Sequence, residues 1–313
     1  MRAILHLLLA ALAVLAAGDS AAGERGGFDP STLKPFTSGE AYEGRETGLY
    51  PGGKNEIPEA HRKAGEALAA TIQPLDEAGK PDAANGRILA LVAGHSNCKQ
   101  YFTALGRHLE SKQAELHPRF ELLNGAVSGN QLPQLMNEQG RVWTLLNNQV
   151  KRPGYSPLQV QVLFLHTTYH GANNKGNQPA GPFPGEMQKM QSDLATVLGR
   201  CAATYPNLKL CYLTCDGFRH FTGQEPHVWR EAFAFKWLIE SQLKGDPAAA
   251  FAGPGRKLPW LQWGPYIWDN TWDRSYFADG VHPSPKALAI FVEKYWAFLS
   301  ADPVTKAWLF KKP

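Results

Sequence analysis

Short, unbroken apolar runs alternate with helical patterns from residue 87 to residue 302, and this alternation constrains the fold more than any other feature. The runs "RILALVAG", "RFELLNGAV", "LQVQVLFLHT" and "NLKLCYLTC" read as strands, and "PWLQWGPYIW" holds a short fifth. Between and after them, "NCKQYFTALGRHLESKQ", "LPQLMNEQGRVWTLLNNQV", "EMQKMQSDLATVLGRCAATY", "PHVWREAFAFKWLIESQLKG" and "PSPKALAIFVEKYWAFLSAD" carry helical spacing. Continuous apolar strands alternating with helices predict a mainly parallel sheet covered on both faces. In such sheets ligands collect beyond the carboxyl ends of the strands.

Upstream of this unit, residues 1–22 hold Arg2, an apolar run from Ala3 to Ala17, and the small residues Gly18, Ser20 and Ala22. That is the pattern of a secretory signal peptide, and the run is shorter than the roughly 20 residues that span a bilayer. The expectation is export, to the periplasm or outside the cell, with no membrane attachment after cleavage. Residues 23–85 are Gly- and Pro-rich at first and then helical over "PEAHRKAGEALAATI", an N-terminal arm and helix in which Gly65 is a weak point. The main domain is expected over 86–313.

The net charge of +4 comes from interleaved acids and bases, which argues against a nucleic-acid partner. Cys98, Cys201, Cys211 and Cys215 are compatible with disulfides after export. Cys201 and Cys211 stand where a helix end meets the following strand, so they are either bridged or packed as buried free thiols. The histidines His95, His166, His170, His220 and His227 lack a paired metal-binding spacing, and no metal is expected.

Two turns carry possible chemistry. Ser96 in "GHSNC" stands just past the first strand, and Asp279 and His282 in "FADGVHPSP" stand just before the last helix. Alone, Ser96 reads most simply as a helix cap, His282 as a loop residue and Asp279 as a turn. Together they are a nucleophile, a base and the carboxylate that orients the base.

This combination resembles the SGNH (GDSL-like) hydrolase superfamily. The resemblance implies a flavodoxin-like three-layer α/β/α sandwich with a mainly parallel five-stranded sheet and, in most members, esterase activity without a cofactor. "GHSN" matches the serine block at Ser96, "LNGAVSGN" the glycine block at Gly129, and "DGVHP" the last block at Asp279 and His282. "HGANN" matches the Gly-x-Asn-Asp block only approximately, with Asn173 the positional candidate and Asn174 the alternative. The implied oxyanion hole is the N–H of Ser96, the N–H of Gly129 and that asparagine. Two departures stand out: "HTTY" separates the third strand from Gly171, and His95 replaces the family's aspartate. If neither asparagine reaches the site, His166 and Thr167 are the nearest substitutes.

"GHSNC" is similar to the G-Q-S-N-M turn of carbohydrate acetylesterases of the sialate O-acetylesterase and acetylxylan esterase type. "GLYPGGKNEIPEAH", "AFAFKWLIESQLKG" and "WGPYIW" resemble segments of exported bacterial SGNH-like proteins. The expected substrate is therefore an acylated carbohydrate. The tryptophans and tyrosines of "PWLQWGPYIWDNTWDRSYF" suit either sugar stacking or packing on the core. The rival reading is a carbohydrate-binding protein on the same fold whose hydrolytic site has decayed.

Overall fold

The computed structural model describes residues 29–169, 182–217 and 225–311. The expected signal segment lies outside the described residues, among which no helix is long and apolar enough to cross a membrane.

A small hairpin, β1 (Ala41–Tyr42) and β2 (Arg45–Glu46), and helix α1 (Glu59–Ala69) precede the main sheet. Five strands follow: β3 (Ile88–Gly94), β4 (Phe120–Asn124), β5 (Val160–His166), β6 (Leu210–Thr214) and β7 (Trp260–Trp263). Every neighbouring pair is parallel, in the order β4-β3-β5-β6-β7. This is the flavodoxin-like order, whose crevice opens where the winding reverses, between β3 and β5.

Every residue of β3, β5, β6 and β7 is buried, because helices cover both faces. Alternation survives in the direction each side chain takes. Leu89, Leu91, Leu163, Leu165 and Leu213 face one layer, packed against α3 (Leu132–Met136), α4 (Arg141–Asn148), α5 (Gly185–Thr204) and α6 (His227–Leu243). Ile88, Ala90, Val162, Phe164 and Tyr212 face the other, packed against α1, α2 (Ser96–Ser111), α7 (Pro285–Ala301) and α8 (Pro303–Leu309). A period of two is thus present in the packing and invisible in the polarity of the sequence.

The stretch expected as one helix over 132–150 is broken into α3 and α4, since Asn137 leaves the helical region and Gly140 starts a new turn. The last expected helix ends as read, at Ala301, and a further helix, α8, follows it, begun by Asp302, whose side chain accepts from Thr305 N. Gly65 does not weaken α1 by accident. A side chain there would overlap the ring of Trp260, so the glycine lets the helix sit down on the sheet edge.

The four cysteines are buried free thiols. Cys201 on α5 and Cys211 on β6 pack in the same layer without a bond, which corrects the expected bridge in favour of its alternative. Burial pushes the Cys201 thiol up to about 12, so it behaves as a small apolar group.

The N-terminal arm is bound tightly. Leu33, Phe36, Leu49 and Tyr50 enter the core on the α5–α6 side. Trp229 Nε1 donates to Lys34 O at 2.9 Å, and the buried Lys236 Nζ donates to Glu46 O at 3.1 Å and Thr47 O at 3.0 Å.

Candidate active site

Helices α2 and α7 lie side by side on one face of the sheet, and their packing sets the site. Tyr101 stacks on Phe291 with ring centroids 4.3 Å apart, and Phe102 meets Tyr295 edge-on at 5.1 Å. Both helices begin at the carboxyl edge of the sheet. Their N-termini, distant in sequence, therefore meet there.

Ser96 is the first residue of α2, and the residue in the capping position is His95. The serine hydroxyl makes no cap. It lies instead 3.0 Å from His282 Nε2, while His282 Nδ1 lies 2.7 Å from Asp279 Oδ2. With Nδ1 protonated toward the carboxylate, Nε2 is left with a lone pair facing the serine proton.

Asp279 serves the turn and the imidazole together. Its Oδ1 accepts from Val281 N at 3.0 Å and His282 N at 2.8 Å, and Ala278 N donates to His282 O at 2.8 Å across the loop. Gly280 takes φ 85°, which only glycine adopts freely. The His282 backbone N–H, then its ring N–H, hold the Asp279 carboxyl down to about 2, well below the usual carboxylate range. The carboxylate is ionised wherever the imidazole is able to act as a base.

Gly129 sits in a turn closed by Asn130 N to Val127 O at 3.1 Å, with φ 77° at the glycine. Val127 N donates to Gly94 O at 2.9 Å, which ties this turn to the strand end that carries Ser96. A side chain at Gly94 would overlap His166 O, so β3 and β5 approach closely here because one residue lacks a Cβ. The Ser96 N–H lies in the first turn of α2, where no helical carbonyl reaches it and the helix dipole is positive.

The asparagine of the third block, Asn173 or Asn174, lies outside the described residues, as do His170 and His220. The "HTTY" segment before it is buried and pinned by α6 and α5. Thr168 Oγ1 donates to Glu231 Oε1 at 2.9 Å, Tyr169 N to the same oxygen at 2.7 Å, and Tyr169 OH to Asp193 Oδ2 at 2.8 Å. His166 Nε2 faces Asp216 Oδ1 at 3.4 Å.

Sequence reasoning missed Asp216, which follows β6 by two residues. It is buried among His95, His166 and Asn97, and His95, His166 and Asp216 bring donor atoms within 4.8 Å of one another. Among the described residues this is the one group able to hold a metal ion. The signal available was position alone: an aspartate just past an apolar strand in a sheet of this type.

The aromatic loop resolves toward core packing. Trp260, Trp263, Trp268 and Trp272 are all buried, and the indole N–H groups of Trp260 and Trp268 donate to His61 O and Glu225 Oε1. Tyr276 is half-buried, but its ring lies between Trp272, 5.0 Å away and parallel within 7°, and the Lys286 ammonium at 3.7 Å. Neither face of that ring is open to a sugar.

No protein-family model matches the chain, and no curated protein matches it. Among solved structures, it is similar to LAE5, an α/β hydrolase from the metagenome of Lake Arreo, at 16% identity and TM-score 0.42, over 69% of this chain and 95% of that one. It is also similar to Axe2, an acetylxylan esterase from Geobacillus stearothermophilus, at 16% identity and TM-score 0.40, over 69% and 95%. A protein from Arabidopsis thaliana matches at 11% identity and TM-score 0.36, over 64% and 67%. Likeness at this level carries no argument about activity. The α/β fold rests on the strand order itself.

Proposed function

We propose that this chain is an exported serine ester hydrolase that removes O-acetyl or other short acyl groups from a carbohydrate. The observation that carries the reading is the chain of contacts from Ser96 Oγ to His282 Nε2 and from His282 Nδ1 to Asp279 Oδ2. Ser96 attacks the ester carbonyl as His282 takes its proton. The tetrahedral oxyanion is held by the N–H groups of Ser96 and Gly129 and by Asn173, or alternatively Asn174. His282 then protonates the leaving alcohol, and an acyl-serine remains. A water molecule attacks that ester with His282 again as base, releasing the carboxylic acid and restoring the serine. No cofactor enters these steps.

The carbohydrate part of the reading is supported by the "GHSNC" turn, and export by the character of residues 1–22. Burial of the loop tryptophans removes one support for sugar binding.

A fluorophosphonate probe tests the mechanism. The wild-type chain is expected to label at Ser96 and to release acetate from acetylated polysaccharide, and Ser96→Ala is expected to lose both. Protein that binds acetylated polysaccharide while taking up no label and hydrolysing no short-chain ester would establish the binding-protein alternative instead.

A further inference from the structure

Beneath Ser96 lies a buried polar cluster that the hydrolytic relay does not use. Its centre is Asp216, which is fully buried. His95 Nε2 lies 3.0 Å from Oδ2, while Gly217 N at 3.2 Å, Asn97 Nδ2 at 3.3 Å and His166 Nε2 at 3.4 Å converge on Oδ1. A carboxylate taken out of water is retained only where donors replace its hydration, and these donors come from the carboxyl ends of β3, β5 and β6.

Two of the partners are the residues on either side of Ser96. The nucleophile is thus straddled by side chains bound to one carboxylate. Asn97 has a second bond, from Nδ2 to Val281 O at 3.2 Å. That carbonyl belongs to the peptide unit joined to His282 N, and His282 N is in turn held by Asp279 Oδ1. Among the described residues, Asn97 to Val281 is the one hydrogen bond besides Ser96 to His282 that ties the 278–283 turn to the serine corner. Both ring and hydroxyl of the reacting pair are partly exposed, with His282 34% accessible, so neither is immobilised by burial.

We infer that Asp216, acting through Asn97, positions the nucleophile against its base. Neither residue touches the reacting atoms; they are positioning residues, and the inference rests on Ser96 and His282 being that nucleophile and base. Asp216 holds the serine corner by His95 and Asn97, and Asn97 carries the hold across to the histidine turn.

The test uses the full mature chain with Asn97→Ala and the near-isosteric Asn97→Asp, which lacks the amide donor. Labelling rate at Ser96, kcat and KM for p-nitrophenyl acetate, and the thermal midpoint are measured together. A misplacement of about 1 Å lowers rates by roughly 100-fold, so labelling and kcat are expected to fall by about that factor while KM stays within about twofold. Combined with Asp216→Asn, either variant is expected to lose little more than the single changes, since both cut one path. Wild-type kcat and labelling in the folded Asn97 variants overturn the inference. So does a loss of kcat fully accounted for by the unfolded fraction. A stoichiometric metal ion in the purified wild type, released by Asp216→Asn, also overturns it, by making the cluster a metal site. If the wild type itself does not label, the hydrolase reading fails and takes this inference with it, an outcome distinct from the others.

Discussion

Ser96 and His282 are 186 residues apart in the chain and 3.0 Å apart in space, and each escapes its simpler role for a local reason. Ser96 is one position too far into α2 to cap it, and His282 lies two residues before the cap of α7, which is Ser284. Asp279 keeps its turn role and gains the imidazole. Asp279→Asn leaves the turn an acceptor but allows the wrong imidazole tautomer. It is expected to lower kcat by on the order of 10,000-fold in steady-state hydrolysis of a short-chain ester, with KM little changed. The pH dependence follows from the depressed Asp279 pKa. A carboxyl lowered to about 2 in the folded chain, against ~3.9 unfolded, stabilises the turn fully above pH ~4 and loses that contribution as pH falls toward 2. The contribution is small because the carboxylate is 56% exposed and screened by solvent. Between pH ~4 and neutrality the pH profile of kcat/KM is therefore expected to carry no ionisation from Asp279. A carboxylate ionisation in that window that Asp279→Asn removes would contradict this account of Asp279.

The elements depend on glycines where close approach is needed. Gly65 on α1 meets the Trp260 ring with no room for a methyl group. Gly65→Ala adds about 1 kcal/mol of helix propensity but forces an overpacking penalty of roughly 1–3 kcal/mol, so the balance is expected to be destabilising. Chemical denaturation checks this, and a stabilised variant would show that α1 shifts freely. Gly94 stands in the same position between β3 and β5, and it also begins the serine corner. The α2–α7 pairing works at longer reach. Its aromatic contacts, Tyr101 on Phe291 and Phe102 on Tyr295, fix how the two N-termini meet.

Across the whole molecule, the N-terminal arm is a structural part of the α5–α6 layer. Lys236 is buried, and its ammonium is satisfied by Glu46 O and Thr47 O and by the Glu46 carboxylate at 3.1 Å. Lys236→Met removes these donors and leaves two carbonyls without them, so the arm is expected to open. Faster limited proteolysis between residues 39 and 54, with the sheet domain left intact, is the measurement that checks it. An unchanged cleavage pattern would mean that the arm is held without Lys236, by the packing of Phe36 and Tyr50 and the hydrogen bond from Trp229 to Lys34 O.

The alternation of apolar runs and helical stretches determined the α/β class, and β3, β5 and β6 lie where those runs predicted, because strands buried on both faces must be apolar throughout. "GHSN" and "DGVHP" stood out as candidates only together and through the resemblance, since each alone reads as a cap or a turn. What lay between them was not legible. Asp216 carries no motif, and its partners His95, Asn97 and His166 come from two other strand ends. The tryptophan-rich loop was equally ambiguous, because burial depends on what packs against it and not on its own composition. Only tertiary structure brought α2 beside α7 and chose between a capping serine and one that faces a histidine. The physical reason is that a hydroxyl bonds to whichever partner the packing places within 3 Å, and packing is a property of the assembled sheet.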